Sequence, residues 1–208
     1  MIERKTTRQI QVGGVAVGGG APIAVQSMTN TLTSDVEATV RQIHQLEQAG
    51  CEIIRVAVPD LAAARAITAI REQIAIPLIA DIHFDSRLAV VAVEHGAQCI
   101  RINPGNLGGP DKLARVVAAA RLHNAPIRVG VNSGSIEKGL LQEYGYPTPE
   151  RPDALIESAL NNVRLLEQQG FDRIKISIKS SDTLTTIAGY RRLAARTDYP
   201  LHLGVTEA

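Results

Sequence analysis

The chain has no tryptophan, and aromatic residues make up only 3% of it. Stacking platforms for nucleic-acid bases are therefore not on offer. Neither sign of charge dominates: 22 basic residues against 21 acidic ones leave +1. That balance argues against a nucleic-acid partner recruited by bulk charge. No apolar run reaches the length of a membrane span. Residues 1–10, MIERKTTRQI, lack the apolar stretch of a secretory signal. A cytoplasmic protein without a membrane partner is the expectation. Cysteine is scarce too. Cys51 and Cys99 are far apart with no CxxC spacing, so they carry no metal signature and read as buried thiols. No metal ligand is assigned. GxGxxG and P-loop patterns are also missing, which weakens the case for a doubly wound nucleotide-binding sheet.

What is present is a 208-residue chain, 45% hydrophobic, ample for one ordinary core. Strand-like and helix-like patterns alternate with short connections, as in a parallel sheet with crossover helices. A short hairpin comes first, Ile10–Val12 and Val15–Val17, turned by Gly13-Gly14. Barrel strands are expected at Pro22–Ser27, Glu52–Val58, Leu78–His83, Gln98–Asn103, Ile127–Asn132, Arg173–Lys179 and Leu201–Thr206. The helix after the first strand, Ser34 to about Ala49, carries a Ser34/Glu37 capping box and stops at Gly50. Seven such units predict an α/β fold of (β/α)₈ TIM-barrel type with seven of its eight strands present. Residues 1–208 are thus expected to form a single incomplete barrel domain, a fragment of something longer. The open edges predict marginal stability in isolation. The stretch 133–151 is long for a strand-to-helix connection and reads equally as a lid or as a small surface subdomain.

Side chains alternate faces along a strand. Ile174, Ile176 and Ile178 share one face, and Lys175, Ser177 and Lys179 the other. Ile127, Val129 and Val131 likewise oppose Arg128, Gly130 and Asn132, while Ile100 and Ile102 oppose Arg101 and Asn103. Arg55 lies in a similar run. One face suits helix packing; the other carries cations. Each charge inside a protein costs several kcal/mol unless paired, by order of magnitude. In barrels the chemistry sits at the carboxyl ends of the strands. Those ends gather Ser27, Asn30, Arg55, Asp81, His83, Arg101, Asn103, Asn106, Arg128, Asn132, Ser177, Lys179, Thr206 and Glu207. Five cations (Arg55, Arg101, Arg128, Lys175, Lys179) against two carboxylates (Asp81, Glu207) leave an excess of three. A multiply anionic ligand such as a diphosphate would balance it. Any one arginine reads equally well as structural, paired as Arg55–Asp81 or Arg128–Glu207. Lys175 lies deeper and reads as core support, and so does His202. His83, two residues after Asp81, is a proton donor, a phosphate ligand or a structural hydrogen-bonding group.

Seven stretches resemble one family: GAPIAVQSMTNT (20–31), IIRVAVP (53–59), IADIHFD (79–85), IRINPGN (100–106), IRVGVNSGS (127–135), KISIKSSD (175–182) and LHLGVTEA (201–208). The chain resembles the amino-terminal barrel domain of the 4-hydroxy-3-methylbut-2-enyl diphosphate synthases of non-mevalonate isoprenoid biosynthesis. The resemblance implies an iron–sulfur oxidoreductase that reductively opens 2-C-methyl-D-erythritol 2,4-cyclodiphosphate. It also implies a [4Fe–4S] cluster, flavodoxin or ferredoxin as electron donor, and a homodimer when full-length. By resemblance Arg55, His83, Arg101, Arg128, Asn132 and Lys179 bind the diphosphate. Glu207 and His83 are implied as catalytic acids, and Asp81, Asn103, Ser27 and Asn30 as supporting residues. The family's cluster ligands, three cysteines and a glutamate of a carboxy-terminal domain, have no counterpart in this chain. A fragment alone is therefore expected to be inactive. A dihydropteroate-synthase-like barrel and a non-catalytic diphosphate-binding module are the alternatives.

Overall fold

The computed structural model describes residues 4–206. Two strands, β1 (Gln9–Val12) and β2 (Val15–Gly18), pair antiparallel as the predicted hairpin. Gly13 turns it at φ +55°, where a side chain would be strained and would also strike Gln98. Six further strands follow: β3 (Gln26–Met28), β4 (Ile53–Ala57), β5 (Leu78–Asp81), β6 (Cys99–Ile102), β7 (Ile127–Asn132) and β8 (Ile174–Lys179). They hydrogen-bond in sequence order and all in parallel, forming a curled half-barrel. Between them run α1 (Val36–Gln48), α2 (Leu61–Arg71), α3 (Ser86–Glu94), α4 (Pro110–Leu122), α5 (Lys138–Tyr144) and α6 (Asp153–Gln168). The last, α7 (Thr183–Ala194), follows β8. The α/β barrel-type fold expected from the sequence is the one observed.

Asp60, Asp85 and Asp182 cap α2, α3 and α7 through their carboxylates. Helix α1 is capped by Asp35, not by the predicted Ser34. The Asp35 amide donates to the Leu32 carbonyl, closing a turn, and its carboxylate accepts from the Ala38 amide at 3.0 Å. The helix therefore starts one residue later than the capping box required.

The faces separate as strand parity demands. Ile54, Val56, Ile100, Ile102, Ile127, Val129, Ile174, Ile176 and Ile178 pack outward against the helices. On the inner face Ile53, Ile79 and Cys99 form a separate cluster with Val12 of the hairpin. The hairpin thus floors the half-barrel. Full burial of Val12 contributes about 1.5–3 kcal/mol, and so holds a two-stranded element that alone is marginal.

Two expectations need correction. The first barrel strand is shorter and later than Pro22–Ser27, and ends at Met28. The expected strand Leu201–Thr206 is reduced to one parallel bridge, Ile176 to Leu201. Two ladder bonds form there: Ile176 N–H to Pro200 at 3.0 Å, and His202 N–H to Ile176 at 2.8 Å. At the next rung, the buried Tyr190 hydroxyl of α7 accepts from the Ile178 amide at 3.1 Å and donates to the His202 carbonyl. A phenol stands where the rung would be, so the pairing stops. In the stretch 133–151, α5 packs on α6 through Leu140, Leu141 and Tyr144, while Ser135 borders the barrel mouth.

Candidate anion site

Strand register places the inner-face charges in a lateral row. Asp81 on β5 is the partner of Arg101 on β6, which is the partner of Arg128 on β7, which is the partner of Lys175 on β8. One pleat higher stand Gly130 and Ser177, and at the rim Asn132 pairs with Lys179. Ile79, the partner of Arg55, lies one pleat lower, yet the long Arg55 side chain reaches Asp81, Nε to Oδ2 at 3.5 Å.

One carboxylate serves several cations. Arg101 Nη1 donates to Asp81 Oδ1 at 3.1 Å, and His83 Nε2 lies 3.6 Å from the same oxygen. Burial alone would raise the Asp81 carboxyl. The neighbouring His83 and the charges of Arg101 and Arg55 overcome it and hold the group far below the usual carboxylate range. Arg101 Nη2 donates to the Gly130 carbonyl at 3.2 Å, and a Cβ at 130 would lie 2.3 Å from Arg101 Nε. Glycine is what lets the guanidinium cross β7. Arg55 also donates to the Met28 sulfur, from Nε at 3.1 Å and Nη2 at 2.9 Å.

Arg128 is 1% exposed. Its Nε donates to Ser177 Oγ at 2.9 Å, and its Nη1 is buried without a partner. Burial first, then the charges of Arg55 and Arg101, push it down to about 9, so it stays cationic at neutral pH. Arg101 Nε and both side-chain polar atoms of Asn103 are likewise buried and unpartnered. Unpaired buried donors cost about 1–3 kcal/mol each. Such donors, gathered on one face, describe a seat for an acceptor. Lys179 at the rim is pushed down to about 8 by burial and then by Arg128, Arg55 and Arg101. Lys175, buried behind it, is lowered chiefly by burial, with Arg128 and Arg55 adding to it and Cys99 opposing.

The structure brings together Arg55, Asp81, His83, Arg101, Arg128 and Lys179, with Asn103 and Asn132 beside them. His83 sits beyond the end of β5, exposed at the rim and beside Phe84, rather than fully inside. With Arg101, Asn103, Asn132 and Ser135 these two line a small cleft of about 70 Å³ at the mouth. Two supporting residues fall elsewhere. Ser27 is in register with Ile54, on the helix-facing side, and its neighbour Met28 is the one that meets Arg55. Asn30 is held by Gln42 of α1, through both its amide and its side chain, at 2.9 and 2.6 Å. Glu207 lies outside the described residues. Met28 and Gly130 were missed because identifying them needs strand register, which parity within one strand does not supply. His202, read as core, lies near Arg128, Lys175 and Lys179. Burial first, then these three charges, push it down to about 2, so it is neutral and offsets no charge.

A larger depression of about 470 Å³ lies on the outside, lined by Lys5, Arg164, Glu167, Arg196, Asp198 and Tyr199. None of the predicted site residues reaches it.

The protein is a barrel-type α/β chain with a cluster of cations around one carboxylate at the carboxyl ends of its strands. Residues 7–208 match the GcpE TIM-barrel domain, and the chain belongs to that family. It is 67% identical over 208 residues to the 4-hydroxy-3-methylbut-2-en-1-yl diphosphate synthase (flavodoxin) of Desulfotalea psychrophila, spanning 100% of this chain and 57% of that protein. The synthase of the same name from Lawsonia intracellularis is 58% identical over 205 residues, spanning 99% and 56%. The chain thus spans just over half the length of these relatives, which are named as flavodoxin-linked synthases and hence are oxidoreductases.

Among solved structures, a dihydropteroate synthase from Xanthomonas albilineans superimposes with a TM-score of 0.59 at 16% identity, covering 97% of this chain and 93% of its own. A 3-dehydroquinate dehydratase from Geobacillus kaustophilus gives 0.61 at 13%, covering 93% and 77%. At such identities the likeness is one of fold alone. No helix among the described residues is long and apolar enough to cross a membrane.

An iron–sulfur cluster does not fit the residues described. Cys51 and Cys99 are both buried, in separate hydrophobic clusters. No group of three or more potential ligands converges among the described residues.

Proposed function

We propose that this chain is the substrate-holding barrel of a 4-hydroxy-3-methylbut-2-en-1-yl diphosphate synthase, acting in non-mevalonate isoprenoid biosynthesis. Its ligand is 2-C-methyl-D-erythritol 2,4-cyclodiphosphate. The observation that carries this reading is the buried, half-paired Arg128 beside Arg101 and Arg55, with Asp81 their only ion-pairing carboxylate among the described residues. A diphosphate supplies the missing acceptors. In this reading Arg55, His83, Arg101, Arg128, Asn132 and Lys179 bind the diphosphate. Asp81 and Asn103 hold the cations in place, while Ser27 and Asn30 act only indirectly, by fixing the β3 end. Glu207 and His83 deliver protons as the ring opens and a hydroxyl leaves.

A [4Fe–4S] cluster, for which the described residues of this chain offer no ligand set, would supply the reducing electrons, with a flavodoxin or a ferredoxin as their source. This chain's residues bind, orient and shield the substrate, and the piece alone does not turn over. Residues 1–208 form one incomplete barrel domain of a cytoplasmic, full-length homodimer. Titration calorimetry with the cyclodiphosphate tests the reading: binding is expected, weakened about tenfold or more by Arg128→Ala, the equivalent of 1.4 kcal/mol or more. Unchanged binding in that variant would overturn it. Binding of pyrophosphate but not of the cyclodiphosphate would make the chain a non-catalytic anion module instead.

A further inference from the structure

Lys179 is the last residue of β8 and stands half-buried on the inner face. Its stem lies against Gly204, where a Cβ would come within 3.2 Å of both Cε and Nζ. No described carboxylate lies within ion-pairing distance of its ammonium. The charged and titratable groups around it are Arg128 on β7, Arg55 on β4, Arg101 on β6, Asp81 on β5, and the neighbouring Lys175 and His202. Asp81 is already engaged by Arg55, Arg101 and His83. A lysine with cationic neighbours and little water gives up its proton readily and becomes a nucleophile.

We propose that Lys179 captures small phosphate-bearing aldehydes covalently, as an imine, with the arginines of the cup holding the phosphate. The ligand then has two halves. The unpartnered Nη1 of Arg128 and Nε of Arg101 offer donors to phosphate oxygens, and the amine at the rim meets the carbonyl carbon. The neutral amine's lone pair forms the new C–N bond while the carbonyl π pair moves to oxygen. Proton transfer from nitrogen to oxygen gives the carbinolamine, and loss of water leaves the C=N bond. No oxidant or reductant is needed. With its pKa at about 8, the amine is neutral about two hundredfold more often near neutral pH than an ordinary lysine of pKa about 10.4. The inference rests on the cation cluster and not on which diphosphate the cup holds.

The test uses pyridoxal 5′-phosphate, followed by borohydride reduction and peptide mapping of the whole chain. The expected result is labelling of Lys179 about tenfold or more above the exposed Lys5, Lys112 and Lys138, suppressed by inorganic pyrophosphate. Pyridoxal, which lacks the phosphate, should label Lys179 far less. Lys179→Arg should lose the label while keeping the circular dichroism of the parent, and Lys179→Gln serves as a second variant should the first unfold. Labelling shared evenly among the exposed lysines, or equal labelling by pyridoxal, overturns the proposal. Protection by pyrophosphate but not by the cyclodiphosphate would sink the synthase reading and leave this one standing.

Discussion

The Arg101 guanidinium lies across Gly130, with its Nη2 3.2 Å from the Gly130 carbonyl, in space that any side chain at 130 would fill. Gly130→Ala must therefore push the guanidinium aside, because the backbone of a central strand cannot yield. The expected outcome is weaker pyrophosphate binding, by about tenfold or more, as befits loss of a charge-assisted hydrogen bond worth about 1.5–3 kcal/mol. Calorimetry checks it, with circular dichroism showing that the sheet persists.

Asp81→Asn removes the carboxylate shared by Arg55, Arg101 and His83. Breaking a buried pair by deleting one partner costs about 3–5 kcal/mol. The Asp81 carboxyl is depressed in the folded state, so its contribution is fully present above the unfolded value of about 3.9 and is lost as pH falls below it toward the folded value. Denaturant unfolding should show a constant gap between parent and variant above about pH 5, narrowing on acidification. A gap that widens in acid would show the sign to be wrong.

Lys179 makes two properties move in opposite directions with pH. Its folded value is about 8, below the unfolded value of about 10.4. The unfolded chain therefore holds more protons between these values, and the stability of the ligand-free protein should rise with pH across that window. Over the same window the ammonium is lost from the cup, so pyrophosphate affinity should fall from about pH 8 upward. Lys179→Met should make both curves shallower but not flat, because Arg128 and Lys175 are lowered as well, as measured by thermal unfolding and calorimetry.

Tyr190→Phe deletes the hydroxyl that serves both the Ile178 amide and the His202 carbonyl. The ring still occupies the gap, so the two backbone groups cannot meet. The expected cost is about 1–3 kcal/mol for the stranded groups, read as a lower denaturant midpoint. The Ile178 amide should also exchange faster with solvent.

Much of this architecture was legible from period alone. Alternation put Arg101, Arg128, Lys175 and Ser177 on one face and their isoleucine neighbours on the other, and the coordinates keep that division. What alternation cannot supply is the offset between strands. Met28 rather than Ser27 meets Arg55 because Met28 is its ladder partner, a fact settled by hydrogen bonds between segments some 25 residues apart. The expected strand at Leu201–Thr206 failed for a related reason. Its own residues suit a strand, but a tyrosine from a preceding helix occupies its hydrogen-bonding position. Helix starts were closer, off by one at α1 because a carboxylate and a turn at Asp35 outcompeted the hydroxyl before it.

The hairpin at the beginning of the chain has a kinetic consequence. Its tight turn lets β1 and β2 find each other within microseconds. Its resting place, however, is built from Ile53, Ile79 and Cys99, and exists only once three distant strands have aligned. A piece whose own pairing is local thus docks late, and Val12 reports on completion of the sheet above it.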